Sequence, residues 1–341
     1  MKGNPSLRKH TSARALRIVG SALILAGGIY LLRWDRLLTA LSRVNFSTLL
    51  LAVTLAAASV AIVGLRWTYI TRHLVHTSSA HQWRIYLLAT FLNSFTPANI
   101  GGDVYRVVAL RSSAKGSIST LVAALAVERV LGLCSFFIGY LLSLLVQLAT
   151  SGQGLTAINA LFLYPAAPIA VALVLFPILP FALRHSHVRR AFARCPALAR
   201  HVRSFNRGIT LATRRNSVVL VLLSLLAWAT WIGTTTVVAA RLELHIPIAL
   251  LAMIATLTEL VRLVPVSFQG IGVREVTFSA LAGLAGASRE IGFAVAVVTY
   301  ATLSASLALA GFGAWLLDLA TPAALKSPAA HQEGVIAGRL P

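Results

Sequence analysis

Carboxylates are what this 341-residue sequence has least of: nine Asp and Glu together, against thirty Lys and Arg. Charged residues of both signs make up only 11% of the chain, too few to coat a soluble domain of this length. Cysteine is nearly missing as well. Cys134 falls in an apolar run and Cys195 in a basic one, which excludes a disulfide framework. No glycine-rich ATP-binding loop occurs, so any active transport must draw on an ion gradient or a downhill lipid gradient. Short alternating strands are absent too, and with them a β-barrel.

What remains is apolar. Hydrophobic residues are 57% of the chain, and several runs reach the roughly 17–25 residues that cross a hydrocarbon core of about 30 Å. The fold class expected is all-α: a polytopic transmembrane bundle of about six to eight spans. The net charge of +21 raises the question of nucleic acid. The basic residues sit mainly in short segments between spans, however, as the positive-inside rule demands, so membrane lipid headgroups are the expected partner and nucleic acid is not.

Residues 1–15, with Lys2, Arg8, Lys9 and Arg14, read as a basic cytoplasmic N-terminus. The apolar run 16–32 reads as an uncleaved first span, because no small-x-small cleavage site follows it. Between 34 and 44, Trp34, Leu37, Leu38, Leu41 and Val44 share one helical face, the pattern of an interfacial amphipathic helix on the outer side. A second span covers 48–65, and 66–84 reads as a solvated cytoplasmic loop holding Arg66, His73, His76 and His81. Those histidines have no acid or cysteine beside them, and no metal site is expected.

Long spans follow at 118–149 and, kinked by prolines, at 157–183. The segment 184–215 has nine arginines, three histidines and no acid, which places the loop 183–216 in the cytoplasm. A further span covers 218–240. The last, 291–317, carries Ala301, Ser304, Ala305 and Ala308 at helix-packing spacing. The tail 318–341 is expected to be disordered and cytoplasmic, leaving 16–317 as the membrane domain.

Two stretches break the pattern. Residues 93–106 read N-S-F-T-P-A-N-I-G-G-D-V-Y-R, and 259–275 read E-L-V-R-L-V-P-V-S-F-Q-G-I-G-V-R-E. Each offers a proline (Pro97, Pro265), then glycines (Gly101 and Gly102; Gly270 and Gly272), then Arg and an acid. An uninterrupted apolar helix has no use for that combination. The apolar run before Pro97 is about a dozen residues, which suits a re-entrant half-helix. Counting crossings brings the first broken element in from the inside and the second from the outside, the arrangement of an inverted transporter repeat.

Four of the nine acids, Asp103, Glu128, Glu259 and Glu275, lie in or beside these membrane-depth segments. Each has an arginine at adjacent or helical spacing: Arg106, Arg129, Arg262 and Arg274. An ionised group at a helix centre costs roughly 2.5–3.5 kcal/mol, so the set must be compensated. Two readings stand. The pairs are structural and neutralise one another, or they line a polar cavity where arginines meet a phosphate bidentately. The glycines fit either close packing or exposed amides that cradle an anion. With Asn93, Pro97, Pro265 and the glycines, these eight charged residues form the candidate substrate-binding set. The two broken elements are expected to approach each other and line one polar cavity.

With 93–106, A-V-E-R-V-L-G at 126–132 and P-V-S-F-Q-G-I-G-V-R-E at 265–275 in view, the chain resembles the lysylphosphatidylglycerol synthase transmembrane family of flippase-like proteins. The resemblance covers about residues 15–320. It implies a multi-pass protein of the bacterial cytoplasmic (inner) membrane that moves phospholipid or lipid-linked headgroups, anionic ones foremost, between leaflets. Bifunctional members carry a soluble aminoacyl-transferase domain; none is expected here, nor a catalytic site, nor a cofactor. Relatives that accompany glycosyltransferase and hopanoid pathways keep a second expectation open, a membrane subunit or transferase acting on lipid-linked substrates, with a pathway enzyme as partner.

Overall fold

The computed structural model describes residues 19, 21–28, 30, 32–96, 100–150, 162–168, 171, 204–205, 207–211, 217–263 and 267–320. Pro97, Pro265, both termini and most of the basic 183–216 loop lie outside the described residues, as does most of the expected crossing 157–183. What is described is helical. In order the helices are α1 (Trp34–Ser42), α2 (Phe46–Thr71), α3 (Ser79–Asn93), α4 (Gly101–Leu110), α5 (Ile118–Thr150), α6 (Ser217–Arg241), α7 (Ile248–Val261), α8 (Val273–Leu284) and α9 (Arg289–Ala320). Four of these, α2, α5, α6 and α9 up to Leu316, are long and apolar enough to cross a membrane.

The short connections fix which face each helix starts from. α1 turns Leu37 and Ala40 inward and leaves Trp34 and Leu38 exposed, as an amphipathic interfacial helix must. The Asn45 side chain then caps α2 by accepting from the Thr48 amide at 3.0 Å, and α2 runs away from the α1 face. At its far end, Val75 pairs with Ala114 in an isolated antiparallel bridge. The His76 amide donates to the Ser113 carbonyl at 2.7 Å, and the Lys115 amide to Leu74 at 2.8 Å. The residues that enter α3 and those that leave α4 therefore lie side by side. α3–α4 is a hairpin that returns to the face it came from.

The second hairpin opens the other way. α6 ends at the α1 face, where Arg241 Nε donates to the Arg43 carbonyl at 2.9 Å and Arg43 pairs with Glu243. α9 begins at that same face: α1 packs against α9, and the Glu290 carboxylate accepts from the Arg33 backbone. α7–α8 thus leaves from and returns to the α1 face, opposite to the mouth of α3–α4. Helix lengths repeat with this inversion: 26, 15, 10 and 33 residues for α2 to α5, then 25, 14, 12 and 32 for α6 to α9. Packing repeats too. α2 lies against its counterpart α6, α3 against α9 as α7 against α5, and α2 against α9 as α6 against α5.

Two expectations need correction. Residues 66–71 and 79–84 are not loop: α2 continues to Thr71, α3 begins at Ser79, and Arg66 and Gln82 are buried within the bundle. In α9 the buried small face is Thr299, Thr302 and Ser306, whereas Ala301, Ser304 and Ala305 are exposed. On this face the Thr302 and Ser306 hydroxyls are satisfied in place, whereas Thr299 Oγ1 is buried without a bond. Ser306 Oγ donates to the Thr302 carbonyl one turn back at 2.8 Å and also reaches the Val53 carbonyl of α2 at 3.2 Å.

Candidate functional site

The tip of the first hairpin is built around two glycine amides. Asn93, the last residue of α3, accepts the Gly102 N–H through Oδ1 at 2.7 Å, and Thr96 Oγ1 accepts the Gly101 N–H at 3.1 Å. These satisfy orphan donors at the start of α4, which has no side-chain cap at its own N-cap residue. Gly102 also lets α4 press onto α3: a Cβ there would collide with the Ala89 carbonyl. Asp103 and Arg106 then follow one helical turn apart.

From this turn runs a chain of ion pairs. Arg106 gives one amino group to Asp103 Oδ1 and the other to Glu128 Oε2 of α5, each at 2.6 Å. Asp103 Oδ2 accepts from Arg129 at 2.6 Å. The Arg106 side chain is 4% exposed and Glu128 7%, whereas Arg129 is 55% exposed. Arg106 lies over the Trp67 ring, 4.4 Å from its centroid, with Tyr86 at 5.7 Å. Arg66 joins from α2: it donates to Ser224 Oγ on α6 at 2.8 Å, and Glu128 is the strongest opposite charge acting on it.

The second hairpin carries its own cluster. Arg262 Nε meets Glu259 Oε2 at 2.8 Å one turn earlier on the same chain. The backbone then passes through Gln269, Gly270 and Gly272 with φ of 56°, 79° and 84°. Glycine suits the last two, since L side chains rarely adopt these values. Glu275 turns back to accept the Gly272 N–H through Oε2 at 2.7 Å. Arg274 stacks on Tyr300 of α9, 4.2 Å from the ring centroid. The Phe268 N–H donates to Ser21 Oγ at 2.6 Å, which ties the tip to the N-terminal helical residues.

The two tips touch. Gln269 Nε2 donates to the Asn93 carbonyl at 2.7 Å and to the Thr96 carbonyl at 2.9 Å. One side chain of the second break thereby satisfies the frayed C-terminal carbonyls of α3 at the first. Asn93, Gly101, Gly102, Asp103, Arg106, Glu128 and Arg129 belong to one side of this contact. Glu259, Arg262, Gly270, Gly272, Arg274 and Glu275 belong to the other.

Two of the four expected pairs are as the spacing implied, Asp103 with Arg106 and Glu259 with Arg262. The adjacent pairs are not. Glu128 goes to Arg106 and Arg129 to Asp103, because neighbours on a helix point about 100° apart and cannot face each other. Glu275 caps an amide in place of pairing with Arg274. Arg66, Trp67, Tyr86, Gln269 and Tyr300 were not anticipated. The available signal was Arg66-Trp67 at the end of an unbroken apolar run, one or two turns too early for a loop.

A bundle with four long apolar helices and two opposed re-entrant hairpins is that of a polytopic α-helical membrane protein. Residues 15–324 match the lysylphosphatidylglycerol synthase TM region, and the chain belongs to that family, whose name ties it to lipid-related processes. No curated protein matches it.

Proposed function

We propose that the protein is a lipid translocator, which passes a phospholipid or lipid-linked headgroup between leaflets through the region where the two hairpin tips meet. The observation that carries this reading is the Gln269 contact between opposed re-entrant hairpins, flanked by two clusters of buried charge. Non-helical backbone at membrane depth survives only beside protein or a water-filled cavity, and paired interrupted helices are the recurring frame of transporter sites. Buried ion pairs give little stability over apolar packing, so keeping them points to use. From the family we place the chain in the bacterial cytoplasmic membrane, and from the arginine distribution we place both termini and the 183–216 loop inside.

The reading is of a transporter without a catalytic site or cofactor, driven by an ion or lipid gradient. Reconstitution tests it. Full-length protein in vesicles is expected to expose acyl-chain-labelled lipid to a membrane-impermeant quencher faster than protein-free vesicles do. No lipid of any headgroup moving, or purified protein turning over a lipid-linked sugar, would overturn it.

A further inference from the structure

The two clusters differ in what they leave unmet. Around the first hairpin, Asp103 and Glu128 are both bonded to arginine and Arg106 uses both amino groups; Arg106 Nε, Arg66 Nε and Trp67 Nε1 are buried without a bond, but no buried carboxylate oxygen among the described residues there lacks a donor. Around the second, Arg274 is 9% exposed, and its side chain has neither a hydrogen bond nor a carboxylate partner among the described residues. Its Nε is buried and unbonded, with Tyr300 covering one face of the guanidinium. Glu259 has given Oε2 to Arg262, and Oε1 is the one buried carboxylate oxygen among the described residues with no donor.

These unmet groups are close together. A Cβ on Gly270 would lie 2.6 Å from Arg262 Cδ and 3.3 Å from Arg274 Nε. Glu259, Arg274, Arg262 and Glu275 are also the four charges that act on Tyr300. The cluster holds two arginines and two carboxylates, so it is neutral before any ligand arrives.

We propose that the Glu259–Arg274–Tyr300 cluster is the headgroup site, and that it takes a net-neutral zwitterion: a phosphodiester bearing a primary ammonium, as in a phosphatidylethanolamine. The proposal deepens the translocator reading and rests on it. Phosphate would meet Arg274 through the guanidinium edge that Tyr300 leaves open, with charge-assisted N–H donors. The ammonium would donate to Glu259 Oε1. A neutral site keeps its charge balance only with a neutral ligand. An anionic phosphatidylglycerol would leave a net negative charge at membrane depth, and a net cation a positive one, both penalised there. Phosphatidylcholine is neutral, but its quaternary ammonium has no N–H for Oε1. The site should therefore rank ethanolamine above choline as well as above glycerol.

Binding and movement are measured separately. Full-length protein in detergent is titrated with dihexanoyl phosphatidylethanolamine, phosphatidylcholine and phosphatidylglycerol, read by intrinsic tryptophan fluorescence. The first is expected to bind about tenfold or more tightly than either of the others. Glu259→Gln should erase the preference of ethanolamine over choline. Arg274→Gln should weaken all three, and Arg274→Lys should restore part of the loss. Glycerophosphoethanolamine as competitor reports whether the headgroup suffices without chains; failure of it to compete at all would count against the site's chemistry.

Equal binding of ethanolamine and choline lipids, or tighter binding of phosphatidylglycerol, would overturn the proposal on the wild-type protein alone, whether or not a variant folds. In vesicles, lipids that move without headgroup preference reject this proposal and leave translocation standing. Selective binding with no movement rejects translocation and leaves the site.

Discussion

The ion-pair chain at the first hairpin makes a graded prediction, because its members differ so much in burial. Arg106 and Glu128 are closed off at 4% and 7% exposure, and the 2.6 Å bond between them is the one ion pair of Glu128 among the described residues. Glu128→Gln leaves Arg106 with Asp103 alone and removes the charge that most offsets Arg66. Breaking a buried pair from one side costs about 3–5 kcal/mol, and the remaining Asp103 bond should hold the loss near the lower end. Arg129 is 55% exposed, so Arg129→Ala should cost about 0–1 kcal/mol although its bond to Asp103 is just as short. Arg106→Ala should cost most. It leaves the buried Glu128 without its arginine bond, leaves Asp103 with Arg129 alone, and loses the Trp67 stack, worth about 1–2 kcal/mol more when desolvated. SDS titration of the purified protein, followed by far-ultraviolet circular dichroism, measures these losses. Equal losses for Glu128→Gln and Arg129→Ala would refute the reasoning, since bond length and not burial would then set the cost. A fourfold change, Arg66→Met, Asp103→Asn, Arg106→Met and Glu128→Leu, should recover most of the stability and abolish lipid movement, separating fold from function.

Four shorter tests follow. Asp103→Ala and Arg129→Ala are expected to abolish lipid movement while the protein still inserts at normal levels; loss of insertion would support purely structural pairs. Gln269→Ala should speed hydrogen exchange at residues 93–96 and 267–272 several-fold, since it removes both bonds between the tips, and unchanged exchange there would deny the contact its role. Gly102→Ala should disrupt the α3–α4 hairpin because its Cβ meets the Ala89 carbonyl, whereas Gly313→Ala, with nothing within 4 Å, should be neutral or slightly stabilising. In a background without Cys134 and Cys195, thiol labelling of Lys115→Cys and His245→Cys should come from opposite sides of the membrane, the first from the cytoplasm; labelling from the same side would break the inverted arrangement.

The sequence reading located the breaks because proline and paired glycines are expensive inside an apolar helix, whatever surrounds them. Opposite hairpin orientation was also legible, from arginine counts and the parity of crossings. Partner choice was not. Glu128-Arg129 and Arg274-Glu275 are neighbours in sequence, and helical geometry points neighbours in different directions; Glu128 and Arg129 reach residues a turn apart on α4, while Glu275 turns back on Gly272 and Arg274 stacks on α9, choices that depend on packing that spacing does not encode. Arg66 escaped notice for a related reason. A cation at the end of an apolar run looks like a loop residue until Ser224 of α6 and Glu128 of α5 are seen beside it. Gln269 carried no pattern at all, since its role requires a positive φ at one break and frayed carbonyls at the other.

Helix length keeps both tips at membrane depth. At about 1.5 Å per residue, α3 and α7 reach about 22 Å and 21 Å, each too short for a core of about 30 Å. Entering from opposite faces at the core boundary, each ends about 6–7 Å past the midplane, which keeps both breaks inside the core. Each hairpin also leans on a long helix of the other half, α3 on α9 and α7 on α5. Neither hairpin can tilt without moving the opposite half. Under the inverted repeat, an opening toward one face has a counterpart of similar packing toward the other, and alternating access needs such a pair of states. The charges do not share that symmetry. The first half holds its carboxylates closed on arginine, and the second, among the described residues, leaves one oxygen of Glu259 without a donor and the Arg274 side chain without a hydrogen bond. The scaffold is therefore even-handed between the two faces, and the headgroup site proposed above would be what distinguishes the second hairpin.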